Sequence, residues 1–348
     1  MTVPGGSALI RGGTVAATLA APFLLPAFMV QLTFLSVMIV FALTWDTLGG
    51  RMGYNSFGNI VFFGIGMYTT TIVQIALYHD VAEYTAAAGV LTIEFTRAQY
   101  LTGLFVGLAV SPVLAVAAAA LLGSGILGLR GQYFAIATLG LGIAGGELAA
   151  GWTFVGGASG IQVPVYPGQI GDRRLLFYFL SVGLGFVTFA VLKRLYAGRF
   201  GLAINAIRDD EDKAEAMGIP TTRYKTTAWC ISAFFVSIAG GLVGHIIGFI
   251  DPREVAFAGA TYGVWMVLMA ILGGKGTLWG PVIGAVVFYV TKEFFWTYFL
   301  GWQRVALGLL IVVVVLFFPL GILGWLRQRR PALFGHRVEE ARGGAART

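Results

Sequence analysis

Charge is what this sequence has least of. Asp, Glu, Lys and Arg make up 11% of its 348 residues, while 57% are hydrophobic. Soluble domains carry roughly 25% charge, and the mean hydropathy here is +0.83, which excludes a water-exposed globular domain as the bulk of the chain. Cysteine is almost missing as well. The single one, Cys230, lies in an apolar run, so an internal disulfide and a cysteine metal cluster are both excluded and the residue reads as packing. The three histidines, His79, His245 and His336, are far apart and lack metal-ligand spacing, so no metal site is expected. His245, between Gly244 and Ile246, is expected to satisfy itself inside the fold. No small-residue cleavage site follows the first apolar stretch, so residue 1 onward reads as mature protein.

Long apolar runs take the place of charge, at about 12–29, 30–46, 60–78, 100–128, 132–151, 175–196, 227–250, 256–273, 279–298 and 303–324. In hydrocarbon every backbone polar group must be paired internally, so these runs are helices, or broken helices where protein shields the break. They lack the alternation of a membrane β-barrel. The predicted fold is an all-α polytopic membrane protein, a bundle of about ten transmembrane helices of roughly 20 residues each. Residues 1–326 form one such domain, and 327–348 read as a basic, disordered tail facing lipid. The 50 glycines suit helices that pack closely.

The net charge of +7 and pI near 9.6 follow from topology rather than from nucleic-acid binding. Threading ten spans from a cytoplasmic N-terminus puts 17 of the 23 Lys and Arg residues in cytoplasmic segments and 4 outside, with Lys292 and Arg304 inside or at the edge of spans. Both termini are therefore predicted to be cytoplasmic, in a multi-pass protein of the cell membrane.

The longest cytoplasmic segment, from Lys193 to Lys225 with its loop at about 198–226, contains Arg208, Asp209, Asp210, Glu211, Asp212, Lys213, Ala214, Glu215, Ala216, Met217, Gly218, Ile219 and Pro220. Acids crowd its start, where they favour a helix dipole, and glycine then proline close its end, which is the punctuation of a short capped helix. Such a helix at the membrane surface is suited to dock into a groove on a soluble partner. A solvated amphipathic loop is the other reading of the same residues.

The stretch from Gly198-Arg199-Phe200-Gly201 through Ala214-Glu215-Ala216-Met217-Gly218-Ile219 resembles the EAA-type coupling loop of ABC importer permeases, most nearly the branched-chain amino acid permeases of the LivM type. Further blocks agree in the family's order: Ser56 to Asn59 with Phe62 to Tyr68, Leu129 to Gly140, Gly156 to Ile161, and Leu272 to Pro281. The resemblance implies a permease that works with a second homologous permease, two ATP-binding cassette subunits and an external solute-binding protein, in which the helix around Asp210 to Met217 takes up ATPase motion. Glu215 and Gly218 stand at the family's motif positions. Two positions depart from the pattern: Asn59, where the family commonly has His, and Asp46, where it often has Asn.

Other motifs fail on context. Gly140-Leu141-Gly142-Ile143-Ala144-Gly145 matches GxGxxG, but it lies inside a membrane-length apolar run instead of after a strand. Gly274-Lys275-Gly276 lacks the spacing and hydroxyl of a phosphate-binding loop. The chain is thus expected to bind no cofactor and to be no enzyme, with ATP hydrolysed on partner subunits. Candidates for the solute path are Asn55, Ser56, Tyr68 and Thr69 around the third span, together with Glu147, a carboxylate deep in an apolar run that needs a partner or water. Gln74 belongs to the same polar cluster, most of which is expected to bond neighbouring helices. Lys292 and Glu293 read as structural. A self-contained ion-coupled transporter would need ion-binding acids near the midplane, and apart from Glu147 and Glu293 the spans offer few. A membrane-embedded enzyme would rest on the acids at 209–212 alone. Leucine, isoleucine and valine lead as solutes, with urea and amides as the alternative.

Overall fold

The computed structural model describes residues 17–86, 94–299, 302, 305, 308, 309, 312 and 321–329. Helices dominate, as the internal pairing of backbone groups demands. They are α1 Met29–Leu48, α2 Asn59–Ala76, α3 Val81–Ala86, α4 Arg97–Ile126, α5 Gly131–Gly151, α6 Ile170–Tyr196, α7 Arg199–Asp209, α8 Glu211–Ala216, α9 Thr221–Ile247, α10 Val264–Gly273, α11 Gly280–Tyr298 and α12 Gly321–Arg329. A two-residue antiparallel ladder pairs β1 (Ile161–Gln162) with β2 (Phe249–Ile250).

Among the described residues, seven helices are long and apolar enough to cross a membrane: Pro26–Leu48, Asn59–Ala76, Arg97–Ile126, Gly131–Gly151, Ile170–Tyr196, Thr221–Ile247 and Pro252–Gly273. These seven do not confirm the expected count of about ten. Residues 17–24 are helical and a 3₁₀ turn, Pro26–Phe28, leads from them into α1, but residues 12–16 of the first expected run, most of the run at 303–324 and the tail beyond Arg329 lie outside the described residues. The ninth run forms α11, which carries Lys292 and Glu293 and is not among the seven. Those two side chains pair at 2.9 Å, and the Lys292 ammonium also sits 5.1 Å and 4.7 Å from the Trp265 and Tyr289 ring centres. Their structural reading agrees with this arrangement. The run expected as one helix at 256–273 is broken, because two π-helical turns, Pro252–Ala256 and Gly259–Gly263, precede α10. Apolar composition carries no record of such a change in hydrogen-bond spacing.

The centre is built by α1, α2, α4 and α9. Without a hydrophobic drive between helices in lipid, close contact of small residues holds such a bundle together. At Gly240 of α9 a side chain would run into the backbone carbonyl of Phe63 on α2. Polar links fasten the same helices: the Ser232 hydroxyl donates to the Thr44 carbonyl at 2.8 Å. Gln74 donates to the Tyr100 carbonyl at 2.9 Å and meets Nε2 of His245 at 2.6 Å, while His245 Nδ1 lies 2.8 Å from the Gly241 carbonyl. His245 and Gln74 therefore bond neighbouring helices, as expected. Cys230 is partly buried with its thiol 3.8 Å from the Val116 carbonyl.

Contacts divide the connections between two ends of the bundle. Segments 49–58, 127–130, 197–220 and 274–279 meet at one end, tied by Arg130 to Asp212 and by Asp46 to Gly276. Segments 152–169 and 248–254 meet at the other through the β ladder, the Val163 amide on the Gly248 carbonyl and the Arg173 guanidinium on the His245 carbonyl.

Candidate functional site

The connection between α6 and α9 folds as two short helices. In α7, Gly201, Ala203, Ile204 and Ile207 are buried, Leu202 and Arg208 are exposed, and Phe200 packs on Tyr224 with ring centres 5.9 Å apart. Asp210 is extended and caps α8: its carboxylate accepts the Lys213 amide at 3.1 Å and pairs with the Lys213 ammonium at 2.9 Å. The hydrogen bonds from Lys213 hold the Asp210 carboxyl below its usual range. At the other end Gly218 takes φ +86°, the Gly218 amide bonds the Glu215 carbonyl at 2.9 Å and the Ile219 amide bonds that of Ala214 at 3.0 Å. These turns close the helix with a left-handed glycine. The expected capped helix is present, with one correction: Asp209 is not at a helix start. It ends α7, where a negative charge opposes the dipole, and pairs with Arg208 at 2.8 Å.

Burial sorts the loop residues by role. Ala214 faces inward, whereas Asp212, Lys213, Glu215, Ala216, Met217 and Gly218 are exposed. Met217 is 84% exposed, a large apolar side chain presented at the tip. Glu211 turns the opposite way. Its Oε1 lies 2.7 Å from the Lys225 ammonium, and its Oε2 accepts the Tyr54 hydroxyl. Lys225 is only 2% exposed, with its ammonium over the Tyr54 ring. Arg130, at the start of α5, spans the outer side of the cluster: 2.6 Å to Asp212, 3.6 Å to Glu211 and 3.8 Å to Glu215. Burial by itself would raise the Glu211 carboxyl, but the hydrogen bonds from Lys225 and Tyr54, aided by the charges of Lys225 and Arg130, hold it below its usual value. The same surroundings push the Tyr54 hydroxyl up, through burial first and then its bond to Glu211. The 198–220 segment is thus fastened to the beginnings of α5 and α9 and to the loop before α2. Sequence reasoning counted Lys225 only as a topological charge, gave Arg130 no partner beyond its place in the 129–140 block, and missed Tyr54. The available signal was a lysine placed within the first turns of an apolar span.

A second anchor holds the neighbouring turn. Asp46 is buried and accepts the Gly276 amide at 2.7 Å; Arg51 lies 4.0 Å from it and stacks over Tyr196, whose hydroxyl is 2.8 Å from that of Thr47. The Asp46 carboxylate therefore fastens the 274–279 turn to α1.

The path candidates are not brought together. Asn55 is exposed, and Ser56 is buried with its hydroxyl accepting the Gly58 amide at 3.2 Å and its carbonyl accepting Trp45 Nε1 at 2.7 Å. Tyr68 and Thr69 are buried within α2, and the Tyr68 hydroxyl has no partner. Glu147 lies toward the other end, 57% exposed and held by both of its oxygens to Arg253 at 2.9 and 2.7 Å. Its partner is a cation on the π-helical segment, which no sequence spacing indicated. Gly140, Gly142 and Gly145 lie within α5 and follow no strand, so the dinucleotide reading has no support in the fold. No group of three metal-ligating side chains forms among the described residues.

Comparison with known proteins bears on the whole chain. It is 27% identical over 342 residues to the high-affinity branched-chain amino acid transport system permease protein LivM of Escherichia coli strain K12, covering 88% of this chain and 79% of that protein. The LivM protein of Salmonella typhimurium matches equally, at 27% over 341 residues with the same coverage. The corresponding LivH permease of Salmonella typhimurium is 32% identical over 127 residues, 36% of this chain and 40% of that protein. No solved structure matches. Residues 28–318 match the family described as the permease component of the branched-chain amino acid transport system, and the chain belongs to that family.

Proposed function

We propose that the chain is the transmembrane permease subunit of an ATP-driven importer that moves branched-chain amino acids from an external binding protein to the cytoplasm. It works with a second homologous permease and two ATP-binding cassette subunits, residues 1–326 form the permease domain, and both termini face the cytoplasm. The observation that carries this reading is the capped helix Glu211–Ala216, with Met217 and Glu215 presented outward while Glu211 is held inward by Lys225 and Tyr54. An exposed helix rigidly tied to membrane spans has the form required to receive force from a soluble partner. The solute crosses without chemical change, so no catalytic group is required of this chain.

The test is co-purification with the ATPase subunits encoded by the same source, for the wild type and for the Glu215→Arg, Gly218→Pro double variant. ATPase association in the wild type, lost in the variant, is the expected result. Uptake of solute by the chain alone in liposomes, with no ATPase ever associating, overturns the reading in favour of an ion-coupled transporter. Competition of leucine uptake by urea or amides, and not by isoleucine or valine, would move the assignment to those solutes.

A further inference from the structure

Phe257 stands between the two π-helical turns, on the short stretch that joins the β ladder to α10. Its ring reaches into a slot between α2 and α5. A Cβ added at Gly145 would come within 2.8 Å of that ring, one added at Gly64 within 2.5 Å, and the ring stacks on Tyr68 at 6.2 Å between centres. The absence of side chains at Gly64 and Gly145 is what makes room for it. The hydroxyl of that stacked Tyr68 is buried and has no hydrogen-bond partner among the described residues. Unpaired buried hydroxyls are costly and call for a functional explanation. The segment bearing Phe257 is held from outside, by Asp251 accepting the Arg253 and Glu254 amides at 2.8 and 2.6 Å and by the exposed Arg253–Glu147 pair. Non-helical backbone at membrane depth is tolerated where it is shielded by protein or lines a cavity, and π-turns recur at functional positions.

We infer that Phe257 is a movable plug in the solute path, seated in the subsite that takes the solute's aliphatic side chain. The inference rests on the transport function proposed above. An apolar slot walled by glycine and large enough for an aromatic ring accepts a branched aliphatic side chain once the ring swings out with its segment. The Tyr68 hydroxyl then gains the partner it lacks, a polar backbone group of the amino acid. Glu147 and Arg253 set how firmly the segment rests in the seated position.

The lone cysteine makes the test simple. Cys230→Ser removes the only thiol, and Phe257→Cys in that background supplies one at the plug. The full complex with its ATPases is reconstituted, and labelling by a membrane-impermeant methanethiosulfonate is timed without nucleotide and in the complex trapped with ATP and vanadate. The expected result is a change in rate of about tenfold or more between the states, since a minor conformer is commonly populated at 10% or less. In parallel, Tyr68→Phe, which preserves shape, should raise the KM for leucine severalfold with little change in the maximal uptake rate; a merely structural tyrosine would lower the maximal rate and would not move KM alone. Equal labelling in both states together with an unchanged KM in Tyr68→Phe overturns the plug. Should Phe257→Cys fail to assemble, the Tyr68→Phe KM decides by itself. Failure of the underlying transport reading looks different, because the Cys230→Ser parent would then neither bind ATPase nor show ATP-driven uptake.

Discussion

Replacing Lys225 by Met tests whether the surface segment at 198–220 is fastened to the bundle by one buried charge pair. Lys225 is 2% exposed and 2.7 Å from Glu211, whose side chain is 13% exposed. Removing one member of a buried pair typically costs about 3–5 kcal/mol, because the other charge is left without its partner. Here Glu211 keeps the Tyr54 hydroxyl, has Arg130 at 3.6 Å and retains some access to water, which places the expected loss at the low end, about 3 kcal/mol. The double variant Lys225→Met, Glu211→Leu removes both charges and should recover most of it, to within about 1 kcal/mol of wild type, since replacing both partners by apolar groups is nearly neutral. The assay is denaturant unfolding of the purified permease in detergent for wild type, both single variants and the double variant, arranged as a double-mutant cycle. ATPase co-purification is measured on the same samples. A coupling energy of about 2 kcal/mol or more is expected, with ATPase binding weakened most in the single variants. Single-variant losses under about 1 kcal/mol that simply add in the double variant would refute the reasoning.

The same cluster should respond to pH. Because Glu211 is held below its usual carboxyl value, its contribution to stability is complete above about pH 4.5 and is lost as pH falls through the lower folded value. Unfolding midpoints followed from pH 7 downward should show this loss in the wild type and not in Glu211→Gln. Asp210→Ala removes the cap of α8 and should destabilise that short helix by about 1 kcal/mol, seen as faster amide exchange at Lys213 and Ala214 with the transmembrane helices unaffected. Gly240→Ala drives a methyl group into the Phe63 carbonyl and should cost about 1–3 kcal/mol. Gly140→Ala, where the added atom meets open space, should change unfolding stability by no more than about 0.5 kcal/mol, so equal effects at the two positions would contradict the close-packing account.

What could be read in the sequence was what depends on neighbours along the chain. Membrane-length apolar runs imply helices because lipid offers the backbone no other partner, and α2, α4, α5, α6 and α9 stand close to where the runs placed them. The cap at Asp210 and the closing turn at Gly218 were legible for the same reason, since both are made by groups close together along the chain. Pairings across the chain were not. Glu211 meets Tyr54 from 157 positions away, and Glu147 meets Arg253 from 106. The break at 252–263 was hidden because valine, alanine and phenylalanine look alike in a straight helix and in a π-turn, and Gly259 and Gly263 read equally well as packing residues.

Lys225 shows why a residue counted for one purpose can serve a second. A cation in the first turns of a span helps decide which end of that span stays in the cytoplasm. Once there, its ammonium lies too deep to be left unpaired, and Glu211, projecting from the preceding surface helix, is the acid within reach. Topology and docking are then set by one charge: reversing the span would strand Lys225 away from Glu211, and melting the surface helix would leave the ammonium buried with only the Tyr54 hydroxyl. An apolar contact of equal strength would hold the segment against the bundle but would let it slide, whereas a 2.7 Å pair flanked by Tyr54 and Arg130 admits one register. A single register is what a helix must have if movement at Met217 is to arrive at α9 and α5 undiminished.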